Sequence, residues 1–226
     1  MKKNEMFKHI AAIKTAKNGA IIGGTGFFVK TDEEKTYLVT ANHVARDTTT
    51  NTDIWLRNLV TGRPFSFKIS QLNSMVIWFY HPIADIAILE VKNSDGIDLS
   101  SYILSTDMFE KKFECIPERE DSLTMFGMPE VYADLEFAPF TCDCNPASNL
   151  WVAYFDITGS MFKCFMLDKP STQGFSGGPV FSFKNPEKPL CYGIIHGTRQ
   201  DNTGGKLAIV VHSAYLFELI EYAKNQ

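Results

Sequence analysis

The feature that most constrains this 226-residue chain is a succession of short β-branched and aromatic runs with almost no helical period between them. Residues 26–29, 37–41, 53–59, 65–69, 75–79 and 86–91 form one series. Residues 122–126, 136–142, 151–156, 161–167, 179–183, 192–196 and 206–211 form a second. Turn clusters punctuate both, among them Thr31-Asp32-Glu33, Thr61-Gly62-Arg63, Thr158-Gly159-Ser160 and Asn202-Thr203-Gly204-Gly205. Short strands at this spacing imply an all-β barrel or sandwich. Helical patterning is confined to a turn at 41–46 and to 214–224, where Ser213 offers an N-cap and Leu216, Leu219 and Ile220 share one face. A mixed, charged stretch at 105–121 separates the two strand series.

Composition removes several classes of function. The sum of 22 basic and 26 acidic residues is −4, and the basic residues do not cluster, which argues against nucleic-acid or polybasic membrane partners. With 45% apolar and 21% charged residues the chain can build a core and is not disordered. The longest stretch free of Asp, Glu, Lys and Arg, 69–84, contains Gln71, Asn73, Ser74 and His81 and cannot span a bilayer as a helix. Met1-Lys2-Lys3 begins like a leader, but Glu5, Lys8, Lys14 and Lys17 interrupt any apolar region. Five cysteines, an odd number without framework spacing, fit reduced thiols, so a cytoplasmic protein is expected. Gly23-Gly24-Thr25-Gly26 suggests a phosphate loop, yet Phe27-Phe28-Val29 continues as a strand where a helix would be needed. A glycine-permitted bend leading into that strand is the expected reading.

Three segments carry chemistry. Gly174-Phe175-Ser176-Gly177-Gly178-Pro179 surrounds a serine with glycines, which let the backbone aim successive N–H groups at one point and leave room for a carbonyl. On its own it also reads as a glycine-rich hairpin. Tyr37-Leu38-Val39-Thr40-Ala41-Asn42-His43-Val44-Ala45 ends an apolar strand at a histidine suited to shuttle a proton. Alone, that histidine also reads as a core residue. His81-Pro82-Ile83-Ala84-Asp85-Ile86-Ala87-Ile88-Leu89 sets an aspartate before an apolar strand, where burial requires a hydrogen-bond partner. By itself, it is a turn residue. Occurring together in the order His, Asp, Ser, the three segments point to one constellation.

This arrangement resembles the chymotrypsin-like (trypsin-like) serine peptidases, most nearly their bacterial HtrA-like and glutamyl-endopeptidase-like branch. The resemblance starts at Gly24-Thr25-Gly26-Phe27-Phe28-Val29 and runs through the three segments to the late strands. It implies two packed antiparallel six-stranded β-barrels with a C-terminal α-helix. The first barrel would span 1–105, a connection 106–121, and the second barrel 122–226 with its helix at 213–224. It implies a serine endopeptidase acting through an acyl-enzyme, with Ser176 as nucleophile, His43 as general base and acid, and Asp85 orienting the imidazole. The N–H groups of Gly174 and Ser176 would form the oxyanion hole. No metal or other cofactor is expected. The alternative is a catalytically silent peptidase-fold binding or scaffold module.

Departures from the family pattern add expectations. Phe175 stands where digestive members carry an aspartate that pairs with a newly cut N-terminus, so regulation by a partner protein or ligand is expected in place of N-terminal activation. Substrate side chains would meet Ser171, Thr172 and Gln173 and the strand carrying Ile195, His196, Gly197 and Thr198. Either Ile195 lines that pocket, favouring apolar side chains, or a bulge turns His196 into it to read Glu or Gln. Cys142, Cys144 and Cys164 offer three of the four ligands that a structural zinc would need and are expected to be free thiols.

Overall fold

Adjacent residues of a strand face opposite ways, and neighbouring apolar pairs here divide between separate cores. The computed structural model describes residues 1–92, 96–129 and 137–226. Its first sheet contains β1 (Ile10–Lys17), β2 (Ala20–Lys30), β3 (Thr36–Thr40), β4 (Asp53–Arg57), β5 (Pro64–Lys68), β6 (Trp78–Tyr80), β7 (Ala87–Glu90) and β8 (Ile103–Ser105). The strand order is β5-β4-β1-β2-β3-β7-β6, with β8 added in parallel on β2. The second sheet contains β9 (Leu123–Gly127), β10 (Phe140–Cys144), β11 (Trp151–Phe155), β12 (Ser160–Leu167), β13 (Pro179–Ser182), β14 (Leu190–Gln200) and β15 (Lys206–His212), in the order β10-β9-β13-β14-β15-β12-β11. Apart from β8, every pairing is antiparallel. Among the described residues there are two α-helices, α1 (Asn42–Arg46) and α2 (Ala214–Lys224), the latter packed against β6 and β7, and four short 3-10 helices.

Phe28, Leu38 and Leu89 point into the first sheet's own core with Ile13, Ile54 and Leu56. Their neighbours Phe27, Val39 and Ile88 point the other way, into a core shared with Phe126, Phe181, Ile194 and Val211 of the second sheet and Leu216 and Leu219 of α2. The second sheet's interior holds Met125, Phe165, Val180, Ile195 and Val210. Each fully buried Phe or Leu of this kind contributes about 1.5–3 kcal/mol. Phe109, in the stretch expected to join the halves, fills the seam: its ring stacks on Phe27 (centroids 5.6 Å apart) and meets Phe181 at 6.1 Å.

The architecture is mostly β, in two antiparallel sheets with a C-terminal helix. Its sheets hold eight and seven strands where the resemblance implied six each. All seven strands of the second sheet correspond to runs in the sequence; those not anticipated are β1 and the three-residue β8 of the first. In β1 the first half is buried on both faces and the second half carries Lys14 and Lys17, so no single alternation runs through it. The expected strand at 136–142 is β10, Phe140–Cys144; residue 136 lies outside the described residues. Gly23, Gly24 and Gly26 are no bend, because they lie within the eleven-residue β2.

Candidate active site

The three chemistry-bearing segments come from different parts of the fold. His43 is the second residue of α1, which caps the end of β3. Asp85 lies in the loop between β6 and β7. The buried ring of His81 organises that loop: its Nδ1 accepts the N–H groups of Ile83 (3.3 Å) and Ala84 (3.1 Å), which leaves Nε2 to meet Glu218 of α2 at 3.1 Å. Burial lowers the pKa of His81 despite Glu218, which keeps Nδ1 an acceptor. The C-terminal helix thus braces the loop that carries the carboxylate.

Asp85 has no exposed surface, and it holds His43 at two points. The His43 backbone N–H donates to Oδ1 (3.0 Å), and the ring Nδ1–H donates to Oδ2 (2.7 Å). The ring of His196 also reaches Oδ2, through Nδ1 at 2.5 Å. Burial would raise the Asp85 pKa, but hydrogen bonds from His196 and His43 pull it down to about 2. At neutral pH it is a carboxylate. For His43 burial acts downward, while the hydrogen bond and charge of Asp85 and the charge of Asp47 outweigh it, so its pKa is raised.

The serine loop is held against the first sheet. Thr25 of β2 receives the Ser176 carbonyl on its N–H (2.8 Å) and donates its Oγ1 proton to the Gly174 carbonyl (2.7 Å). The same Oγ1 accepts the Met128 N–H at 2.8 Å. Gly177 shows why glycine is needed at this seam. Its φ is +88°, and a Cβ there would stand 2.2 Å from the Thr25 carbonyl and 2.3 Å from Thr40 Oγ1. Phe175 is buried and its ring covers Gly127 of β9, so apolar packing anchors the loop.

Thr172 and Phe175 close a turn through Phe175 N–H to Thr172 O (3.0 Å), with Gly174 at φ +93°, the position where a type II turn needs positive φ. The N–H groups of Gly174 and Ser176 donate to no protein acceptor among the described residues. Both residues line a cleft of about 270 Å³ with His43, Val44 and Gln173. Ser176 Oγ donates to the His196 carbonyl (3.1 Å), and among the described residues no hydrogen bond joins it to His43. A proton transfer between the two side chains would need the hydroxyl to turn from that carbonyl to the imidazole.

The expected specificity residues divide differently. Ser171 and Thr198 bind one another, through Ser171 N–H to Thr198 Oγ1 (2.8 Å) and Thr198 Oγ1 to Ser171 O (2.9 Å), which brings the two segments together. Thr172 and Gln173 are exposed, and a Cβ on Gly197 would stand in open space. Ile195 is fully buried in the second core and offers no surface to a cleft. The β14–β15 pairing slips between Ile195 and Gly197, which is a bulge at His196. The bulge turns His196 onto Asp85. Ile195 therefore cannot line a pocket, whereas the bulge expected at His196 is present and sets that ring against the carboxylate. Thr25 and His81 were not marked as site residues by sequence reasoning. A buried threonine between two strand glycines was the available signal for the first, and a histidine four residues before the aspartate for the second.

His43, Asp85 and His196 are the one group of converging ligand-type side chains among the described residues, with donor atoms within 4.8 Å of one another. Donors of a tetrahedral metal lie about 2.0–2.2 Å from the ion and so roughly 3.3 Å apart. The nitrogen–oxygen separations of 2.5 and 2.7 Å are those of shared protons and do not fit an ion between them. Cys142, Cys144 and Cys164 join no such group among the described residues. Burial pushes the thiols of Cys144 and Cys164 up to about 12, which keeps them protonated.

No protein-family model matches the sequence, and no curated protein matches it. Solved structures do match the fold. The MamO protease domain from Magnetospirillum magneticum superposes with a TM-score of 0.63 at 14% identity, covering 95% of this chain and 96% of that one. The active form of the Rv3671c protease from M. tuberculosis gives 0.63 at 14%, covering 96% and 81%. A serine endoprotease from Yersinia pestis gives 0.58 at 13%, covering 98% and 66%. The fold is that of the chymotrypsin-like serine protease domains. No helix among the described residues is long and apolar enough to cross a membrane.

Proposed function

We propose that the protein is a serine endopeptidase that cleaves protein or peptide substrates through an acyl-enzyme. The observation that carries this reading is His43, held at two points by the buried Asp85, sharing one cleft with Ser176 and two unclaimed backbone N–H groups. With Nδ1–H given to Asp85, the neutral His43 ring has its lone pair on Nε2, the tautomer a base needs. A substrate carbonyl entering the cleft would meet Ser176 Oγ once the hydroxyl has turned from the His196 carbonyl. His43 takes the proton and later delivers it to the leaving amine. Asp85, at about 2, stays ionised and stabilises the imidazolium. The Gly174 and Ser176 N–H groups receive the oxyanion, each such donor being worth about 10²–10³ in rate.

A partner protein or ligand regulates the site in this reading. Phe175 occupies the position of an ion-pairing aspartate, and the loop is already ordered by Thr25 and by Phe175 burial. The alternative of a binding or scaffold module is separated by one experiment: intact mass after exposure to a fluorophosphonate, for the wild type and Ser176→Ala. One added label, lost in the variant, supports the peptidase. A wild type that stays unlabelled with and without candidate partners rejects it in favour of the scaffold. Peptide-library cleavage then reads side-chain preference, and Ser176→Ala should lower that rate by about 10⁴-fold or more.

A further inference from the structure

Two imidazoles share one carboxylate. His196 Nδ1 lies 2.5 Å from Asp85 Oδ2, the oxygen that His43 Nδ1 meets at 2.7 Å, and Oδ1 is already taken by the His43 backbone N–H. The bulge in β14 puts His196 there, and the rings of Phe155 and Phe162, each 5.7 Å away between centroids, wall it in place. The rings of His43 and His196 stand edge to face at 5.9 Å. Among the described residues the charged groups facing this pair are Asp85, at the Nδ1 edge of both rings, and Asp47 toward His43. A single negative charge therefore has two claimants.

We propose that His196 is a positioning residue that sets the base strength of His43 through Asp85, so that a proton on His196 shuts the site. The inference rests on the serine-peptidase reading. With His196 neutral, its Nδ1–H fixes the rotation of Asp85 and leaves the carboxylate's charge to the imidazolium that forms at His43. Once His196 carries a proton, that charge is neutralised and His43 must become a cation beside another cation. Two unit charges 5.9 Å apart at an effective dielectric near 20 weaken His43 as a base by about a hundredfold. A proton on either ring then stops the reaction, and the acid limb records two successive uptakes, one at each ring. Asp85, held to about 2, is too acidic to supply either.

The test is kcat/KM against pH for the full chain on a peptide substrate, alongside the rate of fluorophosphonate labelling, in wild type, His196→Asn and His196→Phe. The acid limb of the wild type should steepen from first to second order in protons. His196→Asn keeps an N–H donor near the place of Nδ1 but cannot take a proton, and should stay active with a first-order limb throughout. His196→Phe loses the donor and should lower kcat by about tenfold or more with KM little changed. A wild-type limb that stays first order, or a His196→Phe enzyme with wild-type kcat, overturns the proposal. A wild type that never labels defeats the peptidase reading alone, and proton NMR then decides this one. Two far-downfield Nδ1–H resonances, both lost in Asp85→Asn and one in His196→Asn, support the shared carboxylate; a single resonance in the wild type overturns it.

Discussion

Replacing Thr25 by valine tests how the serine loop is held. The substitution keeps the side-chain shape and removes one hydroxyl, which donates to the Gly174 carbonyl at 2.7 Å and accepts the Met128 N–H at 2.8 Å. Gly174 is buried, so its carbonyl bears the full cost of an unmade hydrogen bond, about 1–3 kcal/mol. Met128 is half-buried and water recovers part of its share. The sum is about 2–4 kcal/mol, a large fraction of the ~5–15 kcal/mol that holds a domain of this kind together. The same carbonyl belongs to the residue whose N–H faces the cleft. Releasing it frees the Thr172–Phe175 turn, and kcat should fall toward the loss of one oxyanion donor, about 10²–10³. Denaturant unfolding and fluorophosphonate labelling read the two effects separately. Thr25→Ser retains the hydroxyl and should lie within about 1 kcal/mol of wild type. If Thr25→Val matches Thr25→Ser in both midpoint and labelling rate, the loop is not held by this hydroxyl and the reasoning fails.

Two further outcomes concern stability. His9 is buried with its Nδ1 on the Tyr102 carbonyl (2.9 Å), and burial lowers its pKa from 6.5 to about 4. As pH falls, the unfolded chain binds this proton first, so stability should decline between pH 6.5 and about 4, by roughly 3 kcal/mol from this residue. Denaturant midpoints across that range should fall less steeply in His9→Asn, which keeps the donor and loses the titration; an identical slope would refute the assignment. Gly177→Ala forces a Cβ to 2.2 Å from the Thr25 carbonyl at a φ of +88°. It should cost more than about 3 kcal/mol, and a wild-type midpoint would contradict the close approach.

Much of the fold was legible because alternation alone assigns Phe27 and Phe28, or Ile194 and Ile195, to opposite cores. β1 escaped because its paired neighbours bury both faces of its first half while Lys14 and Lys17 give its second half a surface character. His43, Asp85 and Ser176 could be picked out locally, since each sits at a strand end where chemistry-bearing side chains leave the core. His196 could be flagged but not aimed. Its direction depends on a one-residue slip against β15, which a sequence read strand by strand does not contain. Thr25 was hidden for a similar reason: the backbone atoms it holds belong to Met128, Gly174 and Ser176, all far away in the sequence.

Two of the contacts that ready the cleft cross from one sheet to the other: Thr25 to the serine loop, and His196 to Asp85. Under the proposed function neither half owns a working site. A molecule whose sheets have begun to part, by heat or by a bound intruder, goes quiet before either sheet melts. For an enzyme able to cut proteins, damage then ends in silence and not in stray proteolysis.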